Sequence, residues 1–483
     1  MRKNLYTMAT FLCCVCLAAS AQDVIVEEFE GPSLICEINL RDFMYAERTN
    51  VGPSKARAFS NSSDGVANYK DRITNMPEYL HTFIDEFAEA ARAVLDGGSN
   101  WLSDPTKGDI GKNSYCHLLK AVTKSANFTF PKGSSSSVIR QAATDAAQPG
   151  IDAEYDVLKS FMPYALLTIN LSHPEAFWIG TNYRYGCETS SSIQYNPNGQ
   201  GTVTYTIKHL LYLRTSNYEI RNNGLSGYNF SNAEDLANGI SIFHSSVQAI
   251  LEQCKTGTRH DKLLAAHDWL TLHNCYNYFY TMGYRQESLG GMPWSALSAL
   301  EGNSGQQSPV CEGYSRALKV LCDEMGIPCV LLSGFALKDR EDKGEPHMWA
   351  YVQMENGKWY AVDVTWDDPT VNGIRTVVSG HESHEWFLVG STTDVGGFTF
   401  IESHPELWFE GFRSEGSYSW DVLPGPQLAT SAWTPQEDED KIIDLKAVND
   451  SKYSDAIYNM SGQRLQKIQR GINIVNGKKV IIR

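Results

Sequence analysis

Apolar residues recur at helical spacing through the middle of the chain, directly after Cys311. The recurring positions are Tyr314, Leu318, Leu321, Cys322 and Met325. This spacing predicts an amphipathic helix, and Gly326, followed two residues later by Pro328, predicts where that helix ends. We therefore expect Cys311 to lie in the first turn of the helix.

Two segments downstream of this helix have the pattern of β-strands. Residues 346–353 and 359–366 are rich in aromatic and β-branched side chains, and the turn sequence Glu355-Asn-Gly-Lys358 lies between them. Such an arrangement predicts an antiparallel hairpin. His347 then lies on the first strand and Asp363 on the second.

The length of the hairpin loop decides whether His347 and Asp363 point to the same face of the sheet. Successive side chains of a strand alternate between faces, so a change of one residue in the loop reverses the answer. A two-residue turn at Asn356-Gly357 sends the two side chains to opposite faces. A three-residue loop with Gly357 left-handed places Asp363 diagonally from His347, ~7 Å away between backbones. A shared site therefore predicts this loop, or a bulge elsewhere.

The remaining patterns indicate several regions. Residues 22–150 contain one clear helical pattern, at 68–95, and we predict a mainly helical N-terminal region of unknown function. Residues 151–420 mix helical and strand patterns, so both kinds of element are expected there. Ahead of Cys311 the predicted elements are a strand at 203–208 and helices at 232–254 and 261–275.

The sequence Ser-His-Pro-Glu occurs twice, at Ser172–Glu175 and at Ser403–Glu406, each time ahead of apolar residues. A serine followed three residues later by glutamate is the pattern of a capping box. Each copy is therefore interpreted as the beginning of a helix.

The C-terminal part of the chain changes character after residue 420. Residues 421–450 contain Pro424-Gly-Pro426 and an acidic run, which predict a linker. Residues 451–483 alternate like strands about Asn476-Gly477, which predicts a β-hairpin and a small β-appendage. This tail resembles the sorting tails of exported bacterial proteins that use the type IX secretion route, which implies export machinery as a partner. An ordinary β-appendage is the alternative.

The first 21 residues have the layout of a cleaved signal peptide. Arg2 and Lys3 precede an apolar stretch, and the segment ends in the small residues Ala19-Ser-Ala21. We expect cleavage near Ala21 and a secreted or cell-surface protein, with a periplasmic location also open. No later run approaches the ~20 apolar residues of a membrane helix.

Composition narrows the classes of partner. The net charge of -15 disfavours nucleic acid and anionic membrane surfaces, because both would repel the chain. Apolar residues make up 42% of the sequence, which is enough for sizeable cores. Of the 11 cysteines, three lie in the predicted signal peptide, and the rest are too sparse for a disulfide framework.

A cysteine in the first turn of a helix has two chemical advantages. The unpaired N–H groups and the positive end of the helix dipole favour the thiolate over the thiol, and the same N–H groups can hold a developing oxyanion. A buried structural cysteine is the alternative for any isolated cysteine. A thiol nucleophile also needs a base and a residue that orients the base. Asp363, set among apolar residues, needs a partner, and His347 fits.

Two other interpretations apply to this set of residues. A zinc site is one, because the set contains ligand types that zinc prefers: Cys311, Cys322, Cys329, His347 and Asp363. However, the chain has no C-x-x-C pair after the predicted signal peptide, and Cys311 and Cys322 lie about three helical turns apart. The segment His381–Glu385 lacks the spacing of a zinc-binding helix and is interpreted as a solvated loop. We therefore predict no metal and no required cofactor. The other interpretation is a binding or surface module that keeps the fold without chemistry.

Four motifs together resemble the core of the transglutaminase-like superfamily, in its exported bacterial form. They are Val310-Cys-Glu-Gly-Tyr-Ser315, Gly326-Ile-Pro328, His347-Met-Trp349 and Trp359–Pro369. The resemblance extends more faintly over residues 151–420. It implies a papain-like α+β fold, in which the helix that carries the cysteine packs on an antiparallel sheet.

The resemblance also implies roles for individual residues. Cys311 would be the nucleophile, His347 the base and Asp363 the residue that orients the imidazole, in attack on a glutaminyl or peptide carbonyl. Trp349 and Trp366 could flank the acyl-binding cleft. A further candidate for substrate binding is Gln307, or its neighbour Gln306, as an oxyanion donor, and a plain polar loop is the alternative for this segment. Glu312-Gly313 follows the cysteine where many crosslinking transglutaminases have tryptophan, so hydrolysis of a peptide or amide and transfer to an amine both stay open.

Overall fold

The computed structural model describes most of the chain. The described residues are 24–40, 76–105, 113–216, 230–277, 293–302, 308–338, 344–368, 370–371, 374–375, 383–405, 426–435 and, with gaps, 457–482. The predicted signal peptide, Gln306, Gln307 and most of the predicted linker lie outside these residues. The chain divides into two compact units, Met1–Ser431 and Ala432–Arg483.

The first part of unit 1 contains a five-stranded antiparallel sheet. Its strands are β1 (Ile25–Glu30), β2 (Leu34–Asn39), β3 (Ser114–Thr129), β4 (Ile179–Asn196) and β5 (Gln200–Thr215). β1 and β2 pair with different halves of β4, β5 pairs with β4 on its other side, and β3 pairs with β5. The strand predicted at 203–208 is confirmed as part of β5.

Two helices accompany this sheet, and one of them crosses a predicted domain boundary. They are α1 (Glu78–Leu95) and α2 (Ser136–Ser172). The boundary predicted between 150 and 151 falls inside α2, and strands from both sides of it share one sheet. Gly150 is a packing residue here, since a Cβ atom at this position would lie 2.1 Å from the hydroxyl of Tyr205 on β5. The region predicted as mainly helical thus also supplies three strands.

Among the described residues between β5 and the second sheet, four helices follow. They are α3 (Ala233–Gln253), α4 (Arg259–His273), α5 (Ala296–Leu300) and α6 (Cys311–Glu324). The helices predicted for 232–254 and 261–275 are confirmed as α3 and α4. α4 begins with a capping box in which Thr258 and Asp261 satisfy each other's backbone N–H groups.

A second antiparallel sheet holds the residues of the predicted hairpin. In chain order the remaining elements of unit 1 are β6 (Cys329–Ala336), β7 (Glu345–Gln353), β8 (Trp359–Val362), α7 (Val364–Asp367), β9 (Thr370–Val371), β10 (Ile374–Arg375), β11 (Phe387–Val389), β12 (Asp394–Val395), β13 (Phe398–Thr399) and α8 (Phe400–Ser403). The sheet has the order β11-β8-β7-β6, and α6 packs against β6 and β7. The predicted α+β class and cysteine-bearing helix on an antiparallel sheet are confirmed.

An aromatic core lies on this second sheet. Its buried members are Val330, Leu332, Trp349, Tyr351, Trp359, Ala361, Trp386, Val389 and Phe400. Trp366 packs against the cluster and stays partly exposed. Burial of several large aromatic side chains dominates the energetics of such a core.

Unit 2 contains a four-stranded antiparallel sheet. Its strands are β14 (Ile457–Asn459), β15 (Arg464–Leu465), β16 (Gly471–Val475) and β17 (Lys478–Ile482), in the order β15-β14-β16-β17. The pairing predicted on either side of Asn476-Gly477 is present between β16 and β17. Among the described residues of the whole chain, no helix combines the length and apolar character needed to span a bilayer.

Candidate active site

Cys311 is the first residue of α6, as the sequence predicts. Val310 precedes it in an extended conformation as the N-cap residue, and Cys311 is 6% exposed. Gly313 lets this first turn pack closely, since a Cβ atom there would lie 2.5 Å from the carbonyl oxygen of Pro293 and 2.8 Å from Ser298 Oγ. Any larger residue at this position would push the helix start away from its neighbours.

A side-chain hydrogen bond ties α6 to the strand that carries His347. Ser315, one turn after Cys311, donates its hydroxyl to the backbone oxygen of Met348 at 2.8 Å. Met348 directly follows His347 on β7. The bond therefore holds the start of α6 against this part of the strand, and the thiol of Cys311 lies close enough to the imidazole of His347 to help raise the pKa of that ring.

The hairpin has the three-residue loop that a shared site requires. Gln353 pairs with Trp359, and the backbone N–H of Met354 donates to the oxygen of Lys358 at 3.0 Å, which leaves Glu355–Gly357 as the loop. Gly357 has a φ of 76°, in the left-handed region. The predicted loop is confirmed, and His347 and Asp363 come together as the alternation of side chains along the strands requires.

The second strand is shorter than predicted. β8 ends at Val362, and Asp363 is the N-cap of α7 rather than a strand residue. Its Oδ1 accepts hydrogen bonds from the backbone N–H groups of Thr365, at 2.9 Å, and Trp366, at 3.2 Å. Aspartate is favoured at N-caps because its carboxylate satisfies such donors, and this preference outweighs the strand-like pattern of the residues that follow.

The other carboxylate oxygen of Asp363 binds two histidines. Oδ2 lies 2.7 Å from Nε2 of His347 and 3.0 Å from Nε2 of His404. Asp363 and His404 are fully or almost fully buried, and His347 is 4% exposed. The carboxylate therefore accepts two hydrogen bonds on each oxygen, which fixes its orientation and that of both imidazoles.

His404 is a site residue that the sequence did not indicate. It directly follows α8, so Ser403 ends a helix there, and Ser172 likewise ends α2. Both interpretations of Ser-His-Pro-Glu as helix beginnings are thus corrected. His404 Nδ1 lies 2.8 Å from Ser403 Oγ, and its ring stacks on Phe400 with centroids 4.3 Å apart. Nothing in the spacing from Asp363 predicts this contact.

The electrostatics of the three residues differ. Burial alone would lower the pKa of His347, but the charge and hydrogen bond of Asp363, together with those of Cys311, raise it to about 10. Burial would raise the pKa of Asp363, yet His347 and then His404 hold it well below its usual range. Burial lowers the pKa of His404. The site thus combines a cationic His347, an anionic Asp363 and a neutral His404.

The tryptophans predicted to flank a cleft have different positions. Trp366 lies beside both imidazoles, with ring centroids 5.8 Å from His347 and 4.7 Å from His404. Trp349 is fully buried in the aromatic core, so the prediction that it contacts substrate is corrected. Its residue type fits a cleft and a core equally well, and packing against Phe400 places it in the core.

Two groups of described residues hold metal-type donor atoms within 4.8 Å of one another. One is His347, Asp363 and His404, where both histidines share one carboxylate oxygen in hydrogen bonds and all three residues are buried. The zinc interpretation of the predicted site also included Cys322 and Cys329, which are fully buried, and the neighbouring Cys329 and burial raise the pKa of the Cys322 thiol. The second group is His267, Asp268 and His384.

Comparison with known proteins identifies the class of the cysteine-bearing domain. Residues 246–364 match the family model of the transglutaminase-like superfamily. This range includes Cys311, His347 and Asp363. This part of the chain is therefore similar to the transglutaminase-like superfamily, which agrees with the resemblance of the sequence motifs.

Curated relatives match over the same part of the chain. Kyphoscoliosis peptidase of Mus musculus is 28% identical over 131 residues, and that of Homo sapiens is 24% identical over 127 residues. Each match covers 25% of this chain and 17% of the relative. The chain thus spans about a sixth of the length of these relatives.

Two solved structures are similar in part. A crystal structure of a TGase is 17% identical with a TM-score of 0.22, covering 36% of this chain and 44% of that one. A structure described as a candidate cysteine protease from Cytophaga hutchinsonii is 15% identical with a TM-score of 0.20, covering 58% of this chain and 74% of that one.

Proposed function

We propose that the protein is a thiol enzyme that forms an acyl-enzyme on Cys311 with a peptide or glutaminyl carbonyl. The observation that carries the proposal is the position of the His347 imidazole, which lies 2.7 Å from the carboxylate of Asp363 and close enough to the thiol of Cys311 for that thiol to affect its pKa. A nucleophile, a base and a residue that orients the base are the parts that covalent acyl transfer needs.

The proposed reaction has two stages. The proton of the Cys311 thiol passes to His347, which gives the cationic imidazole described above, and the thiolate attacks the carbonyl carbon. The C–N bond then breaks, His347 gives its proton to the leaving amine, and a thioester remains on Cys311. First-turn N–H groups of a helix lack intrahelical acceptors, and they would bind the oxyanion of the tetrahedral intermediate. Gln307 stays a proposed second donor.

Release of the acyl group is hydrolysis or transfer. Water or an amine attacks the thioester carbonyl, His347 takes the proton of the attacking group, and the thiolate leaves. Both outcomes use the same acyl-enzyme, and they differ only in the second nucleophile. Trp366 is the described tryptophan that we propose to border the acyl group, because it is partly exposed beside His347.

Alkylation of Cys311 separates an active enzyme from an inert module. Iodoacetamide is added to the full chain, and peptide mapping by mass spectrometry follows each cysteine separately. We expect Cys311 to react fastest in a pH-dependent manner, and the His347→Ala variant to lose this reactivity. His81→Ala, a histidine of α1, is the matched control. Slow labelling that His347→Ala leaves unchanged would support a binding or surface module instead.

A peptide pool incubated with the protein and a tagged amine identifies the second nucleophile. Tag incorporation at glutamine indicates transfer, whereas cut peptides indicate a protease, and Cys311→Ala should lower either rate at least about a thousandfold. If the wild-type chain forms neither product although Cys311 alkylates rapidly, acyl transfer is not its function.

We further infer that the protein is exported to the cell surface or secreted. The support is the sequence of residues 1–21, which has the layout of a signal peptide, and the resemblance of residues 451–483 to type IX sorting tails. N-terminal sequencing of the protein recovered from cells and from medium tests both parts. Recovery of the chain only in the cytoplasm with Met1 present would contradict the inference.

A further inference from the structure

A second cluster of titratable side chains lies outside the proposed catalytic site. His267 and Asp268 belong to α4, and His384 lies shortly before β11. Asp268 Oδ1 lies 2.6 Å from Nε2 of His384 and 3.1 Å from Nδ1 of His267. The acyl-transfer steps proposed above use none of these three residues.

The three side chains present the donor atoms that a transition-metal ion prefers. Two imidazole nitrogens and one carboxylate oxygen lie within 4.8 Å of one another. Zinc binds such atoms at about 2.0–2.2 Å and takes four ligands, so atoms at this spacing can surround one ion with a small adjustment. In the absence of an ion, hydrogen bonds to Asp268 hold the same atoms together.

The buried carboxylate of Asp367 contacts the ring of His267 at the nitrogen that faces away from Asp268. Nε2 of His267 lies 3.2 Å from Oδ2 of Asp367, and both residues are fully buried. The backbone N–H of Trp386 contacts both oxygens of Asp367, at 3.1 and 3.2 Å. Metal-binding histidines almost always donate their other ring N–H to such a carboxylate. This arrangement fixes the ring of His267 with Nδ1 towards Asp268.

Access distinguishes this cluster from the buried histidines around Asp363. The side chains of Asp268 and His384 are 31% and 42% exposed. A hydrated ion can therefore reach the donor atoms, and water can fill its remaining coordination position. The two carboxylates of Asp268 and Asp367 also make the surroundings attractive to a cation.

We propose that His267, Asp268 and His384 bind one first-row divalent transition-metal ion, with zinc as the ion that suits two nitrogens and one oxygen. The ion links α4 to the segment that leads into β11. The backbone N–H of Trp386 contacts Asp367, and its backbone oxygen accepts a hydrogen bond from the backbone N–H of Asp363 at 3.1 Å. The ion is thus a structural link near Trp386, whose backbone contacts Asp363, and it takes no part in the acyl transfer.

Binding of zinc or cobalt to the full chain tests the proposal. The purified protein is stripped with a chelator, and Zn²⁺ is titrated in competition with a chromogenic chelator. We expect one equivalent to bind, and His384→Ala and Asp268→Asn each to weaken binding at least tenfold. His260→Ala, on the same helix, is the matched control and should bind like the wild type. Asp367→Asn should weaken binding about ten- to a hundredfold.

Cobalt distinguishes this site from the cysteines, which also bind zinc. The Co²⁺ spectrum should show nitrogen and oxygen ligation without a thiolate charge-transfer band. Bound Zn²⁺ should also raise the melting temperature of the wild type, and His384→Ala should abolish this increase. The proposal fails if the wild type binds no ion, if both ligand variants bind like the wild type, or if the cobalt spectrum shows thiolate ligation. Because His384 is exposed, we expect its substitution to leave the fold intact, and Asp268→Asn provides an independent second variant.

Discussion

Asp363 accepts two hydrogen bonds on each of its carboxylate oxygens. Backbone N–H groups of α7 occupy Oδ1, and the imidazoles of His347 and His404 occupy Oδ2. A buried carboxylate with this many donors stays ionised and cannot rotate. His347 is therefore held with one ring nitrogen on Asp363 and the other available to Cys311.

His404 is expected to position Asp363 rather than to touch substrate. His404→Phe removes one charge-assisted hydrogen bond, worth about 1.5–3 kcal/mol, so we expect kcat/KM to fall about ten- to a hundredfold. The pKa of Asp363 should rise because one of the groups that lower it is lost, and the acidic limb of the pH–rate profile should move to higher pH. Steady-state kinetics across pH measures both effects.

A substitution that keeps a donor provides the control for His404. His404→Gln can donate its amide N–H to Asp363 Oδ2, so the acidic limb should return towards its wild-type position. A fall in rate with an unchanged pH profile in both variants would mean that His404 only fills space beside Phe400.

The position of Cys311 was predictable from the sequence, because helix spacing places it at a helix start. The parity of the hairpin put His347 and Asp363 on one face only if the loop had three residues, so their proximity was a conditional prediction. His404 was not predictable, because its contact depends on how a distant segment returns to the sheet. The sequence also did not show that Trp349 is buried while Trp366 is partly exposed, because aromatic residues occur with the same pattern in cores and in clefts.

At the scale of elements, the join between α6 and β7 determines the distance between thiol and imidazole. The hydrogen bond from Ser315 to the oxygen of Met348 is buried. Ser315→Ala leaves that carbonyl without its side-chain donor, and we expect a loss of about 1–3 kcal/mol in the free energy of unfolding. Urea unfolding measures the loss, and the rate of Cys311 alkylation should fall with it. Unchanged stability and alkylation would show that the bond does not hold the two elements together.

The hairpin loop depends on the backbone conformation of Gly357. Its φ is 76°, and a Cβ atom there would meet nothing within 4 Å. Gly357→Ala should therefore cost about 1 kcal/mol from backbone strain alone. Gly357→Asn should cost less, because asparagine tolerates the left-handed region. Equal unfolding free energies for the two variants would contradict this explanation.

At the scale of the whole molecule, the N-terminal region and the strands after it form one sheet. We expect a fragment that begins at residue 151 to be insoluble, because it cuts α2 and removes the partners of β4 and β5. A fragment that ends at residue 431 should keep the fold of unit 1. Expression and circular dichroism of both fragments test this division, and a soluble, folded fragment from residue 151 would contradict it.

The stability of the protein should depend on pH through its buried histidines. The pKa of His347 is raised to about 10, and that of His267 to about 9 by Asp268 and Asp367 against the effect of burial. Stability from a raised pKa is fully present below the ordinary value of 6.5 and is lost as pH rises through the folded value. The difference in urea midpoint between the wild type and His347→Gln should therefore shrink from about pH 6.5 to about pH 10. A constant difference would contradict the charged state of His347.

The overall class was predictable, whereas the extent of the first sheet was not. Patterns of three or four residues specify a helix or a strand locally, and they specified α3, α4, α6 and the hairpin. The pairing of β3 with β5 joins segments about 80 residues apart. The residue pattern of each strand does not indicate which other strand it pairs with. The sequence therefore did not predict this long-range pairing of strands.

The loop at Glu355–Gly357 has a consequence for how this gene can vary in length. Loss of one codon in the loop would leave Met354 paired with Lys358 across a two-residue turn, so the register of β8 against β7 can be kept. Loss of one codon in β7 after His347 would instead move His347 by one position and turn its imidazole to the other face, away from the carboxylate. Single insertions and deletions should thus be tolerated in the loop and excluded from the strands between His347 and Asp363 among functional versions of the gene.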